Sequence, residues 1–304
     1  VMLALAIGLD SITGAAIILL GGAIGFSTGT LNPNTTVVAQ KIAELPLYSG
    51  IGYRWVCFAV YYVITNIFLV RYALKVQKDP TKSPMYELDQ KSEFRTAGGL
   101  DDFGTIDLRK ILNIVALVVS LAVVIYGSIK LDWDMPEMAA MFIWLAIVVG
   151  IISGFDTDTI CKNFLEGCKK MMSAMIIIGL AQSISAIMKD GKIIDTVVHS
   201  LAGGLGSVPT LLQAPAMLMA NTIINVFLTS GSGQAAAVMP IMVPLSDLIG
   251  VTRQTAVLAF NFGDGFCNYI LPTSTALMGI ISACNIPYDR WMRFMWKMFA
   301  IWLV

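Results

Sequence analysis

The sequence predicts an all-α polytopic membrane protein made of two related halves, each containing a transmembrane helix broken at membrane depth. Three observations carry this reading. The 304 residues are 57% hydrophobic and only 13% charged, with mean hydropathy +0.76, whereas soluble domains carry roughly 25% charged residues. The charges are also unevenly spread: Val1 to Val70 holds only Asp10, Lys41, Glu44 and Arg54, while Arg71 to Lys110 holds eight Lys/Arg and seven Asp/Glu. Finally, a short pattern occurs twice. Gly25-Phe26, four linking residues, Leu31, Asn32, Pro33, Asn34 and Thr35 match Gly265-Phe266, four linking residues, Leu271, Pro272, Thr273, Ser274 and Thr275, the first copy carrying Asn32 in addition. Each copy lies in an apolar run and is followed by Arg-Trp, at Arg54-Trp55 and Arg290-Trp291.

A full span needs about 20 apolar residues, and the elements follow in order. Residues 11–26 are apolar but short, because Ser27 to Asn34 interrupts them, and 35–44 make a second short piece. Residues 51–72 are a full span and close the first half, 1–72. The linker 73–110 is polar and cytoplasmic. In the second half, 111–304, the spans 111–129 and 138–155 belong to a scaffold and are joined by an acidic turn with Asp132 and Asp134. Residues 158–170 alternate apolar Ile160, Phe164 and Leu165 with Lys162, Glu166 and Lys169, the pattern of a helix lying at the interface. Transport elements then cover 171–284: a span at 171–188, a re-entrant hairpin with legs 208–228 and 235–249 around Thr229-Ser230-Gly231-Ser232-Gly233, and short pieces 254–266 and 275–284 around the second break. Residues 287–304 form the last span.

Lys and Arg favour the cytoplasmic side. Placing Arg71, Lys75, Lys78 and Lys82, then Lys162, Lys169 and Lys170, then Arg290, Arg293 and Lys297 on that side is self-consistent, with Lys189, Lys192 and Arg253 as mild violations. The spans after the two breaks then run in opposite directions, which makes the halves inverted repeats. Sliding the first half onto the second pairs Met2 with Met242, Leu5 with Leu245 and Ala16 with Ala256. The first hairpin tip would fall just upstream of Val1, so the first repeat is expected to lack its N-terminal part here.

Several functions are excluded. Balanced charge, 20 basic against 20 acidic residues, argues against a nucleic-acid surface. Five cysteines without Cys-x-x-Cys spacing read as packing residues. A single histidine, His199, removes most triad and metal chemistry, so no catalytic residue is expected and the chain is not read as an enzyme. Ser230-Gly231-Ser232-Gly233 superficially suggests an intramembrane hydrolase, but its serine has no evident base. A channel is the other remote alternative. The opening residues show no signal peptide.

Irregular backbone at membrane depth is tolerated where it lines a cavity, and secondary transporters use it to bind substrate. The N–H end of a half-helix favours a carboxylate and the C=O end a cation. Candidate substrate or ion ligands are therefore Ser27, Thr28, Asn32, Pro33, Asn34 and Thr35 at the first break; Thr229, Ser230, Gly231, Ser232 and Gly233 at the tip; and Pro272, Thr273, Ser274 and Thr275 at the second break. Asp264 is the sharpest residue, because an ionisable group in a membrane segment is expensive. With Asn261 and Asn268 it occupies positions i, i+3 and i+7, on one face of a helix. It is a proton carrier, a sodium ligand, a counter-ion to a substrate ammonium, or a helix cap. No organic cofactor is expected; the coupling ion is Na+ or H+, a sodium lying near Ser230, Ser232, Asn268 and Thr273. The competing bland readings are packing for Gly21, Gly22 and Gly25, segment ends for Asp10 and Asp247, and an exposed connection for His199. Asn225 stays open.

The segment Ala259 to Asn268, then Pro272-Thr273-Ser274, then Ile286-Pro287-Tyr288-Asp289-Arg290-Trp291 resembles the YfcC/DcuC-like family. So does Leu9-Asp10-Ser11-Ile12-Thr13-Gly14-Ala15-Ala16 followed by Gly25-Phe26 and Leu31-Asn32-Pro33. The resemblance implies a secondary carrier of C4-dicarboxylates or antiporter of basic amino acids such as arginine and ornithine, in the ion transporter superfamily. It also implies a homodimer in the bacterial inner membrane working as an elevator, with Ser27–Thr35, the 229–233 tip and Asn268–Thr275 as site elements. Amino acids are the preferred substrates and C4-dicarboxylates the alternative.

Overall fold

Asp10 starts the first long helix. Its carboxylate accepts from the N–H of Thr13 at 2.9 Å, satisfying one free helix-end donor; α1 (Met2–Ala6) precedes it and α2 (Ser11–Thr28) follows. Gly29 closes α2 at φ 60°, the left-handed conformation that glycine tolerates best. The helix thus includes Ser27 and Thr28, and the break narrows to Gly29–Asn32. Asn32 restarts the chain by accepting from the N–H groups of Asn34 and Thr35 at 3.0 and 3.2 Å. Pro33 fills a first-turn position that needs no donor. A π-helix over Pro33–Val37 then runs into α3 (Val38–Ile42). The computed structural model describes residues 1–92, 107–131, 133, 135–205 and 208–303, and every regular element among them is helical.

Helix α4 (Ile51–Lys78) has 28 residues, about 42 Å of helix at 1.5 Å per residue, against a hydrocarbon core of about 30 Å. Only Arg54, Thr65 and Val76 are buried along it. After it come a 3₁₀ turn at Pro80–Lys82 and the short α5 (Tyr86–Gln90). Outside the span, the hydroxyl of Thr81 and then Lys82 hold the Asp79 carboxyl below the usual carboxylate range. This loop is tied back onto α2. Asp10 Oδ2 accepts from the Tyr72 hydroxyl and from Ser83 Oγ, both at 2.5 Å, and Asp89 accepts from the Ser11 N–H at 3.0 Å. Asp10 is therefore buried at 3% exposure, not a solvated segment end. Four donors, the N–H and hydroxyl of Thr13 and the hydroxyls of Tyr72 and Ser83, are what make burial tolerable.

The chain divides into two compact units, Gly98–Met172 on one hand and Val1–Ala97 with Ser173–Val304 on the other. In the former, α6 (Leu108–Lys130) packs beside α7 (Met135–Ile152), with Asn113 Nδ2 donating to Ser153 Oγ at 2.9 Å. Asp132 and Asp134, and the linker residues 93–106, lie outside the described residues. Helix α8 (Thr157–Asp190) is divided between the units. The expected interfacial helix 158–170 is not a separate element: it continues unbroken into the following apolar stretch. No proline stands at Lys170–Met171, and the one nearby glycine, Gly167, costs a helix only about 1 kcal/mol.

In the larger unit follow α9 (Ile193–Leu205), α10 (Thr210–Phe227), α11 (Gly231–Ile249), α12 (Arg253–Cys267), α13 (Thr275–Ala283) and α14 (Tyr288–Trp302). Ser230 caps α11, accepting from the Gly233 N–H at 3.3 Å. Gly231, Ser232 and Gly233 consequently form the first helical turn rather than a loop, and only three residues join α10 to α11. Ser274 caps α13 in the same way. Among the described residues three apolar stretches are long enough to cross a membrane: Ser11–Ile42, interrupted as above, Ile51–Lys78 and Gly231–Ile249. Helix α14 covers most of the expected last span, 287–304, and is amphipathic. Trp291, Phe294, Met295, Met298, Phe299 and Trp302 are buried, while Arg293, Trp296 and Lys297 are exposed.

The buried side of α14 joins α2, α12 and α13 in one core in which Phe262, Phe266 and Trp302 stack in succession. The close helix crossings are made at glycines of α12. A Cβ on Gly263 would stand 2.5 Å from Asn221 Cβ and 2.9 Å from the Thr222 nitrogen. Gly265 lies against Ser27 of α2. At Gly21, Gly22 and Gly25, by contrast, a Cβ would meet nothing within 4 Å, so the packing reading of these three finds no support among the described residues. Gly263→Ala is expected to destabilise the protein by about 1–3 kcal/mol through overpacking. A thermal unfolding midpoint in detergent no lower than that of the native protein would count against this crossing.

Candidate functional site

Four elements meet around Asp264: the end of α10, the start of α11, the π-helix at the first break, and α12 itself. Asp264 is fully buried. Its Oδ1 accepts from Asn225 Nδ2 at 2.8 Å, and the same amide donates to Gln234 Oε1 at 2.8 Å. Gln234 Nε2 in turn donates to the Asn221 carbonyl at 3.0 Å. The three amides cross-brace α10 to α11 and aim one donor at the acid. On the other side, a Cβ at Gly231 would lie 3.1 Å from Asp264 Oδ2 and 2.6 Å from Thr35 Cγ2. Glycine is thus required where the α11 N-terminus meets Asp264 and the first break. Oδ2 itself has no hydrogen-bond partner among the described residues.

The network continues through Asn261, one turn before Asp264. Asn261 Nδ2 donates to Thr35 Oγ1 at 3.1 Å, and its Oδ1 accepts from Arg54 Nη1 at 2.9 Å. Arg54 Nη1 also donates to the Thr28 carbonyl at 3.0 Å, at the end of α2, and Thr36 Oγ1 donates to the Gly29 carbonyl at 2.9 Å. Arg54 is 2% exposed. Its Nη2 has no partner, and among the described residues no carboxylate pairs with it. The site therefore contains a buried acid and a buried base, each with one unused atom, that are not paired with each other. An unpaired buried charge is unfavourable by several kcal/mol, and this arrangement is suited to partners that arrive with a ligand.

The carbonyls exposed by the two breaks are largely occupied. Those of Thr28 and Gly29 are taken as above. In the second break, Trp291 Nε1 donates to the Tyr269 carbonyl at 2.9 Å and the Tyr288 hydroxyl to that of Ile270. The Arg-Trp motif after each break thus serves the break itself, Arg54 in the first copy and Trp291 in the second.

Of the residues expected from sequence, the structure brings together Gly231, Asn261, Asp264, Thr35, Ser27 and the backbone of Thr28. Asn268 donates to the Asp264 carbonyl at 3.0 Å, at the end of the helix rather than toward the acid. Asn32 and Ser274 act as helix caps; Pro33, Asn34, Ser230, Ser232, Gly233 and Thr275 are exposed. No hydrogen bond among the described residues links Thr273, Ser274 or Thr275 to the Asp264 network. Thr273 Oγ1 is nevertheless buried without a partner. Sequence reasoning missed Arg54 and Gln234 as site residues and left Asn225 undecided. Arg54 had a usable signal: it is one of two basic residues in the first seventy. His199 is exposed on α9. A cavity of about 460 Å³ lies elsewhere, between α4 and α14, and does not include Asp264.

The chain matches, over residues 1–304, the protein family described as DcuC, C4-dicarboxylate anaerobic carrier. It is 35% identical over 298 residues, 94% of this chain, to a protein of Escherichia coli (strain K12) named "Putative basic amino acid antiporter YfcC". It is 30% identical over 304 residues, 99% of this chain, to an uncharacterized protein of Haemophilus influenzae (strain ATCC 51907 / DSM 11121 / KW20 / Rd). The matches cover 58% and 59% of those relatives, so the chain spans less than two thirds of their length. No solved structure matches it.

Proposed function

We propose, from the premise that this chain belongs to the DcuC family of C4-dicarboxylate anaerobic carriers, that it forms the substrate-binding part of a secondary transporter for small carboxylate-bearing metabolites. Amino acids such as arginine or ornithine fit best. The observation that carries this is the separate burial of Asp264 and Arg54, each with one unused polar atom. An α-amino acid offers a carboxylate to the Arg54 guanidinium and an ammonium to Asp264 Oδ2. Arg is well suited to the first task, since its planar donors match a carboxylate and its charge persists when buried. The name of the Escherichia coli relative points to the same substrate class.

A C4-dicarboxylate is the second reading, favoured by the description of the family. One carboxylate would use Arg54; the other would require Asp264 to carry a proton or a bound cation. A sodium ion near Ser230, Ser232, Asn268 and Thr273 is compatible with the buried, unpartnered Thr273 hydroxyl. The repeated order of capped helix, break, capped short helix and Arg-Trp helix supports inverted repeats. With the α10–α11 hairpin, it supports an elevator; a homodimer in a bacterial inner membrane follows from the family resemblance alone.

The test is uptake and counterflow in proteoliposomes with arginine, ornithine and succinate, with and without a sodium gradient. Accelerated exchange of arginine against ornithine is expected. Exchange of succinate alone would establish the second reading, and exchange of none of the three would overturn both.

A further inference from the structure

A large cavity forms a trough between α4 and α14, and nothing in the transport reading uses it. Its volume is about 460 Å³. One end is strongly basic: Arg71 and Lys75 from α4 and Arg293 from α14 line it, Lys297 stands about a turn further in, and Lys82 is nearby with no acidic residue in the lining. Lys82 pairs with Asp79 at 3.1 Å, but no ion pair engages the other four among the described residues. The other end is apolar, formed by Ile64, Ile67, Phe68 and Ile301.

The two helices run antiparallel here, since Phe68 and Tyr72 meet Phe294 while Tyr61 and Thr65 meet Trp302. Ile301 is thus level with Ile64, and Arg293 with Arg71. From Ile64 to Lys75 the trough extends about 16 Å along α4 at 1.5 Å per residue. Four unpaired cations, three toward one end of the trough and Lys297 about a turn further in, continued by an apolar channel, match an acidic headgroup followed by acyl chains. A soluble anion has no use for the apolar half.

We propose that this trough binds an anionic phospholipid, its phosphate held by Arg71, Lys75, Arg293 and Lys297 and its acyl chains lying along Ile64, Ile67, Phe68 and Ile301. Basic pockets between transmembrane helices on the cytoplasmic side are suited to such headgroups. That side is also where the positive-charge rule places these four residues.

The experiment uses the purified protein in detergent, titrated with phosphatidylglycerol, phosphatidylcholine or inorganic phosphate. Binding is read by native mass spectrometry and by the shift in unfolding midpoint. Phosphatidylglycerol is expected to bind and raise the midpoint, with phosphatidylcholine and phosphate having no comparable effect. Changing Arg71, Lys75, Arg293 and Lys297 together to Gln is expected to weaken phosphatidylglycerol binding about a hundredfold, at roughly a factor of three to five per charge. The exposed pair Lys162→Gln with Lys169→Gln serves as the charge control and is expected to leave binding unchanged. Should the fourfold variant not fold, the pairs Arg71→Gln with Lys75→Gln and Arg293→Gln with Lys297→Gln each carry the test, with about a tenfold loss expected. Equal stabilisation by phosphatidylcholine, an equal effect of phosphate, or undiminished binding in these variants would each overturn the proposal. So would protection of the trough by a second copy of the chain.

Discussion

Replacing Asp264 by Asn is expected to reduce transport by about a hundredfold or more while leaving the protein folded. The reasoning separates charge from shape. Asn has nearly the same volume, so the buried site suffers no cavity, and its Oδ1 can go on accepting from Asn225 Nδ2 as Asp264 does at 2.8 Å. What is lost is the negative charge at Oδ2, the atom without a partner. Removing one member of a buried charge pair weakens association by about 3–5 kcal/mol, or roughly two to three and a half decades in affinity. Size-exclusion profile and unfolding midpoint check the fold, and proteoliposome exchange checks the function. Normal exchange in a folded Asp264→Asn protein would reduce Asp264 to a brace between helices and remove the main support for the proposed substrate site.

Arg54→Gln is expected to act on both stability and affinity. The Arg54 side chain donates to the Thr28 carbonyl and to Asn261 Oδ1. Gln is too short to reach both, and each buried acceptor left unsatisfied costs about 1–3 kcal/mol. A loss of about 2–4 kcal/mol is therefore expected in unfolding, so Arg54→Lys, which keeps the charge and most of the length, is the variant for functional work. Arg54→Lys should raise the KM for amino acids about tenfold or more, because a point charge replaces a bidentate fork. A second readout distinguishes ligand contact from structural support. Competitive inhibition by an amine lacking the carboxylate should survive Arg54→Lys and be lost in Asp264→Asn; inhibition by a carboxylate lacking the amine should show the reverse. If both variants lose both inhibitors equally, the two residues act only through the architecture they share.

The helical, membrane-embedded character of the chain, both breaks and the α10–α11 hairpin were legible in the sequence because they rest on local signals. Asn32-Pro33 and Ser230 are capping residues whatever surrounds them, and Asp264 stands out because charge is rare in such surroundings. Long-range pairing was not legible. Arg54 sits near the start of a long apolar helix, where an arginine ordinarily reports orientation, and its partner Asn261 is 207 positions away. Asp10 was misjudged for the same reason: its donors Tyr72 and Ser83 come from the far end of α4 and the loop beyond. Gln234 escaped notice because one amide in an apolar leg has no periodicity to expose it. Thr273 to Thr275 were chosen for hydroxyls at a helix start, and Ser274 does cap α13, but capping leaves that hydroxyl engaged with its own helix.

The π-helix at Pro33–Val37 gives the one-residue difference between the two copies of the motif a structural meaning. A π turn holds one residue more than an α turn over the same stretch of helix, and the first copy carries Asn32 in excess of the second. That extra residue caps the π turn from just outside it, accepting from the N–H groups of Asn34 and Thr35. Residues beyond Val37 are turned by about 100° relative to an uninterrupted α-helix, while Thr35 and Thr36 lie within the π turn itself. The two copies of the motif thus differ in their inner walls: the first places buried Thr35 and Thr36 in a π turn, whereas the second is preceded by a buried acid, Asp264.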